Sequence, residues 1–310
     1  MAEFEYNPSH CVPFRDKAVL ERVRRIKKED IDKHPNPDFV IHVRKAADIE
    51  MIFITDMFYR IKSAADQGRN VVFILPNPVS SYRHVAHLIN TFRLSCKHLY
   101  AFAMDEYADE NGHIAPESWP QGFLHAMKKN FFSRIDPDLR PPEEQFIAPD
   151  NKNLAHYGDM IEELGGADMC YSGPGWTGHL AFIEPDAPEF QAPLQEWMQM
   201  GSRIVTLSPF TLAQNSLHGS FGKSGDIALI PPKAATIGPK EVIAAKNRMD
   251  INSITVHGTG TAWQRLMTRL VAHGPVTPLL PTSIHQRLRT DFYISEEIAE
   301  NIEPDWDKEY

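Results

Sequence analysis

The sequence predicts an α/β fold, a Rossmann-like doubly wound and mostly parallel sheet with helices on both faces. Short apolar runs such as VVFILP and ADMCYSG alternate with segments whose apolar residues recur every three or four positions. Strands that alternate with helices of this kind are typical of a parallel sheet covered on both sides. The chain has 310 residues, 42% of them hydrophobic, which is enough to bury a full core.

The elements follow one another along the chain. A basic helix near Asp16 to Asp30 and a proline-bearing break, DKHPNPDF, lie in residues 1–50, which we interpret as a mainly helical N-terminal extension. Residues 51–310 are interpreted as a single α/β domain. The alternation of helices and strands starts with the helix ADIEMIFITDMFYRIKSAADQGRN and the strand VVFILP. The helix SSYRHVAHLINTFRL and the strand LYAFAMD follow. The helices WPQGFLHAMKKNFF and NLAHYGDMIEELGG and the strand ADMCYSG come next. The strands RIVTLS and DIALIPP follow, and SITVHGTGTAWQRLMTRLVAHG is predicted as strand, turn and helix.

The composition excludes several classes of protein. A formal net charge of −9 argues against nucleic-acid binding. No run approaches the roughly 20 apolar residues of a membrane span, and the start, MAEFEYNPSH, lacks the order of a signal peptide, so we expect a cytoplasmic protein without membrane partners. Cys11, Cys96 and Cys170 are far apart, which indicates neither a disulfide framework nor a thiolate metal site.

Two carboxylates follow a predicted strand directly in AFAMDEYADENG. Ligands of such folds bind outside the carboxyl ends of the strands, where partial desolvation would raise the pKa of Asp105 or Glu106 toward a range useful for proton transfer. The alternative is that one of the two caps the next segment.

The stretch YSGPGWTGHLAFIEP places a histidine after a flexible loop. Gly173, Gly175 and Gly178 allow the backbone to approach a ligand closely. Glu184, five positions after His179, could hydrogen-bond one imidazole nitrogen and leave the other for a substrate oxygen. The alternative is a structural histidine in a glycine-rich turn.

A third glycine-bearing strand end, VHGTGTAW, resembles an anion cradle and contains Gly258 and Thr261. It lacks the lysine of a P-loop, and a tight turn explains it equally well. His84 and His87 lack a nearby third ligand, so no metal site is predicted.

Taken in order, MDEY, PESWPQGFLHAMKKNFFSRI, SGPGWTGHLAFIEP, RIVTLS and LAQNS resemble the glucosamine-6-phosphate deaminase (isomerase) family, a relative of the 6-phosphogluconolactonases. The resemblance implies that Asp105 moves a proton between C2 and C1 of an open-chain amino sugar phosphate. It further implies that His179 assists ring opening, that Glu184 holds His179, and that Arg203 contacts the phosphate. It implies no metal or organic cofactor, and it implies a homo-oligomer.

The chain also departs from the family pattern. The family's aspartate two residues before the histidine is Thr177, its lysine in the last cradle is Thr261, and its arginine after Asn-Ser is Leu217. The asparagine before Glu-Pro is Ile183, and the first phosphate loop is the shorter, glycine-free ILPNPVSSY, whose Ser80 and Ser81 still offer hydroxyls. The predicted substrate-binding residues are Ser80, Ser81, Glu106, Gly173, Gly175, Thr177, Gly178, Arg203, Gly258 and Thr261.

These features predict an enzyme that isomerises an amino sugar phosphate or a related sugar between aldose and ketose, with or without deamination. One alternative is a non-catalytic sugar-binding or regulatory protein, which the loss of one acid and two cations favours. Another is a lactone hydrolase of the 6-phosphogluconolactonase kind.

Overall fold

A large parallel sheet organises the structure, a computed structural model that describes residues 5–255, 261–304 and 306. Seven strands form this sheet in the spatial order β1-β10-β9-β6-β2-β3-β5, where the labels follow the chain. Their bounds are β1 Phe39–Arg44, β2 Val71–Leu75, β3 Leu99–Ala103, β5 Phe146–Ile147, β6 Met169–Ser172, β9 Arg248–Asn252 and β10 Thr290–Ser295. Every pair of neighbours in this sheet is parallel, so the predicted fold class is confirmed.

Helices connect these strands. Their bounds are α1 Lys17–Arg24, α2 Ala46–Asp66, α3 Tyr82–Thr91, α4 Phe123–Asn130, α5 Tyr157–Glu163, α6 Leu194–Trp197, α7 Pro209–Asn215, α8 Pro239–Ala244, α9 Gln264–His273 and α10 Glu296–Ala299. Short 3₁₀ turns lie between several of them. None of these helices, in the part of the chain that the structure describes, is long and apolar enough to cross a membrane.

Both faces of the large sheet are buried, as the central strand β2 shows. Its side chains alternate, so Phe73 and Leu75 enter one apolar cluster with α2, α3 and α4, whereas Val72 and Ile74 enter a second cluster on the opposite face. The second cluster is completed by α5 and by a smaller sheet. Continuous apolar strands such as β2 are therefore explained by burial on both sides.

The smaller sheet is antiparallel and has the order β4-β8-β7, with β4 Asp105–Ala108, β7 Arg203–Thr206 and β8 Lys233–Thr236. The chain leaves the large sheet at Met104, whose backbone N–H donates to the Leu75 carbonyl and whose carbonyl accepts from Ile237 N–H. Asp105 is the first residue beyond this crossing. The sheet-to-sheet switch thus places its carboxylate at the carboxyl edge of the large sheet.

Three predicted elements differ from the structure. Residues 39–44, inside the predicted helical extension, form β1 at the edge of the large sheet, where the buried Phe39 and Ile41 alternate with exposed or half-buried neighbours. Residues 227–229 of the predicted strand DIALIPP form a 3₁₀ turn, and the strand β8 begins at Lys233. Of the strand predicted at SITVHG, residues 253–255 form no strand and residues 256–258 lie outside the described residues. The strand β9 directly precedes them, and its buried Asp250 and Asn252 conceal it from an apolar pattern.

Candidate functional site

A cavity of about 640 Å³ opens at the carboxyl edge of the large sheet. Its walls combine the end of β6, the start of β4, the first turns of α2 and α3, and the last turn of α7. Asp105 and His179 both line it, as do Ser81, Asn215 and His218. Carboxylate, imidazole, hydroxyl and amide groups therefore converge on one concave site of ligand size.

The Asp105 carboxylate is buried at the wall of this cavity, with 6% of the residue exposed. Burial, and then the nearby Glu106 carboxylate, raise the pKa of Asp105 well above its usual value. It has no hydrogen-bond partner among the described residues. A desolvated carboxyl without a protein partner is available to take a proton from a ligand.

Glu106 does not line the cavity and instead caps α4. Its Oε1 accepts from the backbone N–H of Tyr107 and of Phe123 at 2.9 Å, and its Oε2 accepts from Leu124 N–H at 2.8 Å. Burial raises the pKa of Glu106, although these three N–H groups oppose that rise. The structure thus places the second carboxylate of MDEY in a helix cap, the alternative weighed above, and away from the cavity.

The capping role predicts a stability effect. Glu106→Ala would leave two buried N–H groups and a third, partly buried one without an acceptor, so we expect the free energy of unfolding to fall by about 2–4 kcal/mol. Urea denaturation of the variant measures this loss. The matched control is Glu117→Ala, which removes an exposed carboxylate and should change stability by less than about 0.5 kcal/mol. Equal stability of the two variants would contradict the capping role.

The His179 imidazole is held from its Nδ1 side. Nδ1 lies 3.1 Å from the Thr177 hydroxyl, 3.0 Å from the Thr211 hydroxyl and 3.5 Å from Glu184 Oε2. Glu184 is buried, and Oε1 accepts from Ser208 N–H at 3.3 Å. Burial alone would raise the pKa of Glu184, but the neighbouring His179 and the hydrogen bonds outweigh it, and the pKa is lowered. Glu184 is thus held as a carboxylate.

The Thr177 hydroxyl lies between Glu184 and Nδ1 of His179. It donates its hydrogen to Glu184 Oε2 at 3.2 Å, and its oxygen lies 3.1 Å from Nδ1 of His179. A hydrogen on Nδ1 would suit this arrangement and would leave the lone pair of Nε2 for a ligand. Thr177 therefore connects Glu184 to His179 at the position where the predicted family pattern has an acid.

The glycines of this loop have separate steric roles. Gly178 has φ +81°, a conformation that L side chains rarely adopt. A Cβ at Gly175 would lie 1.9 Å from His179 Nε2, and one at Gly173 would lie 2.6 Å from the Ile251 carbonyl. These positions therefore allow the loop to pass close to the imidazole and to β9.

The other site residues predicted from the sequence do not all lie at the cavity. Ser81 lines the cavity, whereas Ser80 is exposed outside it. Arg203 lies elsewhere, because its guanidinium donates to the Gly201 and Glu189 carbonyls and stacks 4.9 Å from the Phe190 ring centroid. Thr261 is exposed, and Gly258 lies outside the described residues. The structure does not bring Arg203 to Asp105 and His179.

Several cavity residues escape sequence reasoning. Gln214 and Asn215 come from α7, whose position over the loop follows from Gln214 Oε1 accepting Trp176 N–H at 2.8 Å. His218 follows α7, and Glu50 comes from α2. The LAQNS motif was a signal for Gln214 and Asn215. Glu50 had none, because only tertiary packing places it there.

A second, apolar cavity of about 470 Å³ lies on the other side of Thr177. Trp176, Trp263 and Phe210 line it together with residues of α1 and α9. Among the described residues, no carboxylate or imidazole lines this cavity. Within the described residues, no group of three or more His, Cys, Asp or Glu side chains could hold a metal ion.

Comparison with known proteins agrees with this fold. No family model matches the chain. The glucosamine-6-phosphate deaminase of Aeromonas salmonicida is 29% identical over 228 residues, 71% of this chain and 77% of that protein. The corresponding protein of Yersinia enterocolitica is 28% identical over 270 residues, 81% of this chain and 92% of that protein. The chain is a divergent relative of the glucosamine-6-phosphate deaminases.

Solved structures related to this family share the fold. A monomeric glucosamine-6-phosphate deaminase superimposes with a TM-score of 0.66 at 20% identity, covering 84% of this chain and 98% of that one. The 6-phosphogluconolactonase of Trypanosoma cruzi superimposes with a TM-score of 0.58 at 15% identity, covering 87% and 100%. Deaminases and lactonases therefore both have the α/β fold seen here.

Proposed function

We propose that this protein is an aldose–ketose isomerase of the deaminase type, acting on an amino sugar phosphate or a related sugar. One observation carries the proposal. The buried Asp105 carboxyl, which has no hydrogen-bond partner among the described residues, faces the same cavity as an imidazole oriented through Thr177 and Glu184.

The residues suit the two proton movements of this reaction. Nε2 of His179 would pass a proton to or from the ring oxygen while the pyranose opens. Asp105 would then remove the proton from C2 of the open-chain aldose and deliver it to C1. When C2 carries an amine, the amine loses a proton as O1 gains one, so the product is an imine, which one water molecule hydrolyses to the ketose and ammonia. Deamination is thus a consequence of the substituent at C2, and the same carboxylate serves either outcome.

The direct test incubates the purified protein with glucosamine 6-phosphate, glucosamine and their 2-hydroxy counterparts, and follows ammonia and ketose. We expect ketose from at least one of them, and ammonia only where C2 carries an amine. A folded protein that binds a sugar of this panel without forming ketose would instead be the non-catalytic binding protein considered above. Hydrolysis of 6-phosphogluconolactone without isomerisation would identify the hydrolase alternative.

A further inference from the structure

The charged side chains that line the active-site cavity are acidic. Glu50 and Asp105 both lie at its wall, and no lysine or arginine lines it within the described residues. The segment 256–260, outside those residues, contains neither lysine nor arginine in its sequence. A phosphate group bound by a protein is ordinarily met by Arg or Lys, whose charge-assisted hydrogen bonds are the strong ones.

Glu50 lies beside the N-terminal end of α3. It projects from α2, and its Oε1 accepts from the Ser81 hydroxyl at 2.6 Å. Ser81 is the N-cap of α3, and helix N-termini attract negative charge. A carboxylate of the protein itself therefore already supplies the anion at this end of the cavity.

The two histidines do not replace the missing cations. Burial, and then the nearby His179, lower the pKa of His218 to about 4, so this ring is neutral at pH 7. His218 Nδ1 is buried without a partner in the described part of the chain, so it is free to hydrogen-bond a hydroxyl group. Nδ1 of His179 lies 3.5 Å from Glu184 Oε2, so the Glu184 carboxylate would balance any positive charge on this ring.

A phosphate ester carries a charge of about −1.5 to −2 at pH 7. In this cavity it would meet two carboxylates and neutral donors. We propose that the cavity accepts an unphosphorylated aldose or ketose, and that Glu50 is a specificity-determining residue that disfavours the phosphorylated counterpart. This inference rests on the proposed function for the location of the site, but it concerns binding and does not require turnover.

Calorimetric titration at low ionic strength tests this preference with two matched pairs, glucosamine against glucosamine 6-phosphate and fructose against fructose 6-phosphate. The fructose pair removes the ammonium group from the comparison. We expect the unphosphorylated sugar of each pair to bind at least tenfold more tightly. Glu50→Gln, which keeps the size and removes the charge, should tighten fructose 6-phosphate binding at least threefold and leave fructose unchanged.

Asp48→Asn is the matched control, since it removes an exposed carboxylate from the same helix but away from the cavity. It should leave both pairs unchanged. Equal or tighter binding of the phosphorylated sugars, or no binding of either unphosphorylated sugar, would overturn the proposal. The proposed function fails separately if a sugar of either kind binds but is not isomerised. Turnover of sugar phosphates alone would support the proposed function and would overturn the inference about specificity.

Discussion

Asp105→Asn is expected to lower turnover by about 10²–10⁴-fold, the contribution typical of a positioned general base. An amide cannot take the proton from C2, and the adjacent Glu106 carboxylate cannot replace Asp105, because it is committed to the cap of α4. Initial rates of ketose formation, measured with whichever sugar proves to be the substrate, give the ratio. Turnover within tenfold of the unmodified protein would contradict the role of Asp105.

The same substitution should stabilise the fold, since burial raises the pKa of Asp105 above its unfolded value. For a carboxyl with a raised folded pKa, the folded state binds more protons, so stability declines as the pH rises from the unfolded toward the folded pKa. Ionisation of the buried group is therefore destabilising, and each pKa unit of that rise is worth about 1.4 kcal/mol. Asp105→Asn should therefore raise the melting temperature.

Asp109 provides a control, because its pKa is shifted in the opposite direction to that of Asp105. Asp109 is exposed, and hydrogen bonds from His113 and Asn111 lower its pKa, although slight desolvation opposes them. Asp109→Asn should leave turnover unchanged and should not stabilise the fold.

The raised pKa of Asp105 also predicts that activity increases with pH through a range above the pKa of an ordinary aspartate. An activity plateau reaching down to pH 4 would count against Asp105 as the base.

Gly175→Ala is expected to lower turnover by about 10²-fold, the effect of an ångström-scale misplacement of a catalytic group. The new Cβ would lie 1.9 Å from His179 Nε2 and 2.1 Å from Cε1, so the imidazole must move. Thr177 and Thr211 hold the other side of the ring, which leaves it little room. Overpacking of this kind also costs about 1–3 kcal/mol of stability.

The control for Gly175→Ala is Gly219→Ala. Gly219 follows His218, and a Cβ there would meet nothing within 4 Å. This variant should keep its turnover and its melting temperature. To separate displacement of His179 from unfolding, circular dichroism and turnover are measured at the same temperature. A folded Gly175→Ala protein with full turnover would show that the position of His179 does not matter for the reaction.

The fold was accessible from the sequence where elements are apolar and local. The helix α2 and the strands β2, β3 and β6 lie where the apolar pattern predicts them. The pattern fails at β9, a central strand that carries the buried Asp250 and Asn252. Ser172 and Asn252 donate hydrogen bonds to the Asp250 carboxylate, so these polar groups can be buried in the core. Because its buried residues are polar, the sequence of β9 lacks the apolar pattern of a central strand. The small antiparallel sheet depends on pairing between distant segments, which periodicity does not report.

The candidate site could likewise be predicted only in part from the sequence. Asp105, His179 and Glu184 follow strands and carry recognisable spacing, and the structure places Asp105 and His179 at one cavity, with Glu184 behind the histidine. The consequence of Thr177 required coordinates, since only the direction of its hydrogen bond shows that it links Glu184 to His179. Glu50 and His218 reach the cavity through packing of α2 and α7, which no local pattern reveals.

Solvent hydrogen exchange at the sugar tests the central claim, that Asp105 moves a proton on carbon. Fructose and fructose 6-phosphate are each incubated with the protein in D₂O, with and without an ammonium salt that allows the imine to form from the ketose, and the C1 hydrogens are followed by proton NMR. We expect the unmodified protein to replace one of the two C1 hydrogens of at least one ketose by deuterium, and Asp105→Asn to do so at least about 10²-fold more slowly. Exchange at the same rate in both proteins, or no exchange of either ketose by the unmodified protein, would contradict the account.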